Sequence, residues 1–147
     1  MNKTKIEWVQ NPDGSQGWTW NPLTGCYGPN GISGKPCFYC YANKIATRFA
    51  GTKAFPNGFE PTWHPERLDE PWRLRKPSTI FIGTMCDLFG PWVIMERIDL
   101  VLSVARALPR HMFIFLTKYP RRLLEFEFPR NAWVGVTIDR LVNTADL

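Results

Sequence analysis

The chain has 147 residues, 44% of them hydrophobic and 21% charged; this is the balance of a single soluble domain, residues 1–147, that buries a core, and it excludes a disordered chain or a small disulfide scaffold. Its longest apolar stretches, TIFIGTM at 79–85 and MFIFL at 112–116, are far below the roughly 20 residues that span a bilayer, and the N-terminal MNKTKIEW holds no signal-peptide apolar region, so the protein reads as cytoplasmic with no membrane partner. A net charge of +5 permits a nucleic-acid or other polyanionic partner without demanding one.

The first candidate element is GWTWNP at 17–22, whose alternation suits a strand. The cysteine-bearing stretch GCYGPNGISGKPCFYCY at 25–41 follows, and directly after Cys40 the residues Ala42, Ile45, Ala46 and Phe49 mark the apolar face of a helix. Pro and Gly concentrate from NPDG at 11–14 to the loops on either side of residue 60, so this half is loop-rich. Arg73, Arg75 and Lys76 form the densest basic stretch, either a solvated loop or a phosphate contact.

The second half is more regular. TIFIG at 79–83, MFIFL at 112–116 and AWVGV at 132–136 are short apolar runs rich in β-branched and aromatic residues, which suits strands covered on both faces, as in a parallel sheet. Between the first two, Ile94, Ile98, Val101, Leu102, Ala105 and Leu108 recur at helical spacing until Pro109, the pattern of a crossover helix. The connection 117–131 has room for one short helix starting near Pro120. The sum is an α/β chain with about four parallel strands. Its cysteine loop falls between a strand and a helix, at the end of the sheet where α/β architectures gather ligands.

Cys26, Cys37 and Cys40 have the spacing C-x10-C-x2-C. In a reducing compartment, clustered thiols point to metal or redox chemistry more than to disulfides. Zinc would need a fourth ligand, for which His64 and Cys86 are the nearest candidates. An iron-sulfur cluster on three thiolates instead leaves one iron open to bind a small molecule. Phe38, Tyr39 and Tyr41 supply either apolar cover for such a cluster or ordinary core packing. His64 itself reads as a surface histidine, and Cys86 as a small buried residue rather than a ligand.

The ordered set KIEW, TWNPLTGC, CFYCYANKIATRF, NGFEPTWHPERLDEP, IFIGTMCDLF, FIFLTKYPRRL and WVGVTID resembles a phage-associated family of three-cysteine proteins distantly related to spore photoproduct lyase and other radical S-adenosylmethionine enzymes. The likeness runs along nearly the whole chain. It implies a partial (β/α) barrel carrying a four-iron, four-sulfur cluster on Cys26, Cys37 and Cys40. The open iron would chelate the amino and carboxylate groups of S-adenosylmethionine, and reductive cleavage, with a reductant such as flavodoxin or ferredoxin, would give methionine and a 5'-deoxyadenosyl radical.

The same resemblance implies that Tyr39 covers the adenine side of the cofactor and that Asp87, beyond the IFIG strand, holds its ammonium; Asp87 reads equally as the cap of a helix entered at 88–91. The polar strand ends Thr117, Lys118, Thr137 and Asp139 would face the cofactor's carboxylate or ribose, or a substrate phosphate. The first gap of ten residues departs from the family's usual C-x3-C-x2-C. Related proteins continue for several more βα units, so the barrel's C-terminal part is expected to be missing after DRLVNTADL, with AWVGV left as an open edge prone to self-association. The substrate is not legible, although the relation to spore photoproduct lyase points toward nucleic acid. Two other readings are a zinc-stabilised nucleic-acid-binding module and a catalytically inactive phage protein that keeps the fold.

Overall fold

The structure, a computed structural model, describes residues 1–33 and 35–138. Along the chain follow β1 (Asn2–Lys3), β2 (Trp18–Trp20), β3 (Leu23–Thr24), α1 (Tyr41–Arg48), β4 (Thr62–Trp63), β5 (Thr79–Ile82), α2 (Met95–Ala107), β6 (Met112–Thr117) and β7 (Ala132–Val136). Five strands make one sheet in the order β1-β2-β5-β6-β7. The four from β2 to β7 run parallel, as the sequence predicts, and β1 is added antiparallel to β2. A separate antiparallel pair, β3 with β4, was not expected.

Side-chain alternation sorts the sheet into two faces. Trp20, Ile80, Ile82, Phe113 and Phe115 pack with Ile98, Val101, Leu102 and Ala105 of α2 in the main core. Phe81 and Ile114 point the other way and are covered by Val9, with Ile6 and Leu116 beside them. Burial on both faces is why the β5 and β6 runs read as continuously apolar; β7, expected to be covered in the same way, has no buried residue and exposes Trp133 and Val134, because it lies at the sheet edge. Each fully buried aromatic or aliphatic side chain contributes about 1.5–3 kcal/mol, so α2 is held by its stripe rather than by helix propensity.

The connection to β7 is a 3-10 helix, Pro120–Glu125, with proline in its first turn, close to where the short helix was expected. Arg122 donates from it to the carbonyls of Gly90 and Val93. Behind α2, the Asn131 amide donates to the carbonyls of Ala105, Leu108 and His111 at 2.9, 3.0 and 2.8 Å, satisfying groups that a helix end leaves open.

One expectation changes here: no helix begins at 88–91, where the chain makes turns, so Asp87 is not a helix cap. The sheet, among the described residues, does not close into a barrel; its edges are β1 and, as expected, β7. Arg73 pairs with Asp69 at 3.1 Å on the surface, and Arg75 and Lys76 are exposed beside it. No helix among the described residues is long and apolar enough to cross a membrane. Asp139 and the 140–147 segment lie outside the described residues.

Candidate functional site

The cysteine loop leaves β3 and lies across the carboxyl ends of the parallel strands. Gly25 makes this approach sterically feasible: its φ is +89°, and a Cβ there would stand 2.4 Å from the Glu60 carbonyl oxygen. Its N–H donates to the Met85 carbonyl at 2.8 Å, and the next amide, of Cys26, donates to the Phe59 carbonyl at 3.2 Å. Cys26 is thereby stitched between the turn after β5 and the 59–60 segment.

Each of the three loop cysteines accepts a hydrogen bond at its sulfur. The Gly28 amide donates to Cys26 Sγ at 3.2 Å. Cys40 occupies the N-cap of α1, and its Sγ accepts from the Asn43 amide at 3.4 Å. Lys118 Nζ donates to Cys37 Sγ at 3.9 Å. Burial, reinforced by Asp87 and the other two cysteines, pushes the Cys26 thiol up to about 12.

A cavity of about 300 Å³ opens beneath the loop. Its wall includes Cys26, Cys37, Cys40, Tyr39, Asp87, Lys118 and Thr137, seven of the residues chosen from the sequence; Asp139, another, lies outside the described residues. Cys86, Thr117 and Tyr119 line it as well, and Phe81 and Leu116 contribute apolar floor. Asp87 is 8% exposed. Its Oδ1 accepts from Thr117 Oγ1 at 2.7 Å and from the Phe89 amide at 3.1 Å, and its Oδ2 from the Lys118 amide at 2.9 Å. Burial raises its pKa against the pull of these donors. A carboxylate offers about four acceptor positions, so one remains for a ligand.

Among the described residues, no group of three or more His, Cys, Asp and Glu side chains converges closely enough to hold one ion. His64 is not at the surface as expected but 4% exposed. Its Nε2 is bonded to Thr24 Oγ1 at 2.8 Å and its Nδ1 to Glu66 Oε1 at 3.2 Å, and it takes no part in the cysteine cavity, so it offers no fourth zinc ligand. A cube-shaped cluster makes a different demand. Its thiolates bind different irons and need not meet at one point, only surround a space, and amides donating to sulfur are part of how proteins tune such centres. The three thiols, the cavity and the N–H donors fit that group.

A family model described as a protein of unknown function, DUF5131, matches residues 3–146. The chain belongs to this family. No curated protein and no solved structure gives a significant match.

In this DUF5131 chain, the sequence reading missed several residues that build the site. Gly25 carried a signal in the TGC triplet, a glycine directly before a candidate ligand. Tyr119 follows Lys118 in the quoted motif FIFLTKYPRRL; its hydroxyl donates to the Gly28 carbonyl, and its ring meets Trp92 edge-on at 5.5 Å. Asn21 is the third: its side-chain oxygen accepts from the Met85 amide at 3.0 Å and its amide donates to Thr84 Oγ1 at 2.9 Å, fixing the turn that carries Cys86 and Asp87. Only the NP pair after the β2 strand hinted at it.

Proposed function

We propose that this DUF5131 protein is an iron-sulfur protein of the radical S-adenosylmethionine type, built on a partial (β/α) barrel. The observation that carries the reading is the convergence of seven sequence-chosen residues on one cavity at the carboxyl ends of parallel strands. In it, Cys26, Cys37 and Cys40 hold a four-iron, four-sulfur cluster through one iron each. The Gly28 and Asn43 amides, already donating to sulfur, stabilise the thiolate form that ligation needs. Tyr39 would cover the adenine, the open acceptor position of Asp87 would receive the cofactor's ammonium, and Lys118 and Thr137 would serve its carboxylate or ribose. The chemistry such a cluster supplies when bound and reduced by a flavodoxin- or ferredoxin-like donor is one electron to S-adenosylmethionine, giving methionine and a 5'-deoxyadenosyl radical. Phe81 and Leu116, which line the cavity, would give that reaction an apolar wall. The open edge of β7 is where a second copy or further chain would pair.

The test is anaerobic reconstitution with iron and sulfide, metal and sulfide analysis, and then incubation with S-adenosylmethionine and dithionite. A brown protein with about four iron atoms per chain that releases 5'-deoxyadenosine is the expected result. A colourless protein carrying stoichiometric zinc would overturn the reading, and a cluster protein that neither binds nor cleaves S-adenosylmethionine would overturn its cofactor half.

A further inference from the structure

Lys118 is the only cationic side chain among the described residues that line the cysteine cavity, and its position is set from both ends. Its backbone amide donates to Asp87 Oδ2 at 2.9 Å, while the neighbouring Thr117 hydroxyl donates to Asp87 Oδ1 at 2.7 Å and accepts from the Tyr119 amide at 2.9 Å. The backbone at the end of β6 is therefore fixed. From there the side chain crosses the cavity mouth to the C-x-x-C end of the cysteine loop. Nζ donates to Cys37 Sγ at 3.9 Å and to the Tyr39 hydroxyl, so that it stands at the hydroxyl end of that ring.

This contact points to a second task for Lys118, beside the cofactor contact proposed above. We infer that Lys118 sets the reduction potential of the cluster site by holding a positive charge against the Cys37 sulfur, with Tyr39 as the clamp that keeps it there. The inference rests on the proposed cluster reading. Taking up one electron makes the unit of cluster and thiolates more negative by one charge. A fixed ammonium beside one of those sulfurs interacts more favourably with the more negative state, and a cavity partly closed to water weakens this less than bulk solvent does. The electron comes from a low-potential donor, no bond to Lys118 forms or breaks, and the ammonium keeps its proton throughout. Tyr39 contributes through its hydroxyl, which accepts from Nζ. Lys118 is thus a positioning residue for redox poise.

The experiment is an electron-paramagnetic-resonance redox titration with dithionite, on reconstituted protein without S-adenosylmethionine, comparing wild type with Lys118→Met, Lys118→Gln and Lys118→Arg. At the wild-type midpoint, the ratio of reduced to oxidised cluster is expected to fall at least tenfold in Lys118→Met, about 59 mV for a one-electron couple. Lys118→Arg, which keeps the charge, is expected to titrate close to wild type. Coincident curves for wild type and Lys118→Met would overturn the inference while leaving the cluster reading intact. Loss of iron from both neutral variants, with retention in Lys118→Arg, would show that the charge holds the cluster rather than tunes it, and would also overturn it. A wild-type protein that takes up no cluster would remove the reading beneath.

Discussion

The Thr117 hydroxyl donates to the Asp87 carboxylate at 2.7 Å, inside the cavity wall, and so ties the end of β6 to the turn that follows β5. The Lys118 and Phe89 amides complete the set of donors. Asp87 therefore shapes the site whether or not it meets a ligand.

Asp87→Asn tests both contributions. An amide keeps one acceptor oxygen and turns two N–H donors toward groups that are themselves donors, so the variant is expected to lose about 1–3 kcal/mol of stability in urea unfolding. The brown colour should remain, since Asp87 is no ligand. Affinity for S-adenosylmethionine should weaken by about 1.5–3 kcal/mol, the range for a hydrogen bond to a charged group. Unchanged affinity, with the stability loss present, would leave Asp87 a purely structural carboxylate.

The four cysteines separate cluster from zinc. Cys26→Ala, Cys37→Ala and Cys40→Ala should each abolish iron retention on reconstitution, while Cys86→Ala should keep it. The comparison is demanding because Cys86 lines the same cavity. Iron lost from Cys86→Ala, with zinc in the wild type, would favour a four-cysteine zinc site.

The parallel strands and α2 were legible because their burial is written in local pattern: all four residues of TIFI are buried, and α2 buries Ile98, Val101, Leu102 and Ala105 at helical spacing. The cysteine loop was legible as three clustered thiols followed by a helix that starts directly after Cys40. What stayed hidden depends on partners distant in sequence. Asn2–Lys3 has no strand pattern and is a strand only through pairing with Thr19 and Trp18. His64 looked exposed among charges and prolines, yet Thr24, forty residues earlier, gives its ring a buried partner. Gly25 looked like a turn residue, whereas its lack of a side chain lets the backbone of residues 59 and 60 pass against it.

Gly25→Ala should therefore be more damaging than an ordinary loop substitution. At φ +89° a side chain is strained, and here it would also meet the Glu60 carbonyl at 2.4 Å, so a loss of at least about 1–3 kcal/mol is expected. Because Cys26 is the next residue, iron loading should fall as well. Gly14 provides the control: its φ is +81° but nothing lies within 4 Å of a Cβ there. Gly14→Ala should show a modest stability loss with full iron loading. Equal loading in both variants would mean that the cysteine loop tolerates a shift at Gly25.

His111 gives the fold an acid-sensitive point. The ring is 1% exposed, and Nδ1 accepts from the Ser78 amide at 3.1 Å, which puts the neutral ring's proton on Nε2, an atom buried without a well-formed partner. Burial first, and then Arg110, lowers its pKa, with the Leu74 and Pro71 backbone opposing. A lowered folded pKa means that stability is complete above the unfolded value of about 6.5 and is lost as pH falls from there toward the folded pKa. His64 shifts in the same direction. Unfolding free energy measured from about pH 7.5 down to about pH 5.5 should fall in the wild type and fall less steeply in His111→Gln. Parallel slopes would assign the acid sensitivity to other groups.

The edge strand β7 leads to an association prediction. Its one sheet neighbour among the described residues is β6, so half of its backbone groups face outward, and an unprotected edge of this kind templates pairing with another chain. The side chains strengthen the case: Trp133 is 65% exposed and Val134 is exposed on the opposite face. Trp133 shares its face with Ile114, its register partner, and so extends the surface formed by Phe81 and Ile114. Sedimentation velocity should show association that grows with protein concentration. Trp133→Lys places a charge on the edge and removes the largest exposed apolar ring, and should shift the population toward monomer. Stability should change by no more than about 0.5 kcal/mol, because the removed side chain is mostly in solvent. A wild-type protein that stays monomeric at every concentration would show that β7 is protected by means other than pairing, and identical behaviour of Trp133→Lys would place the contact elsewhere on the molecule.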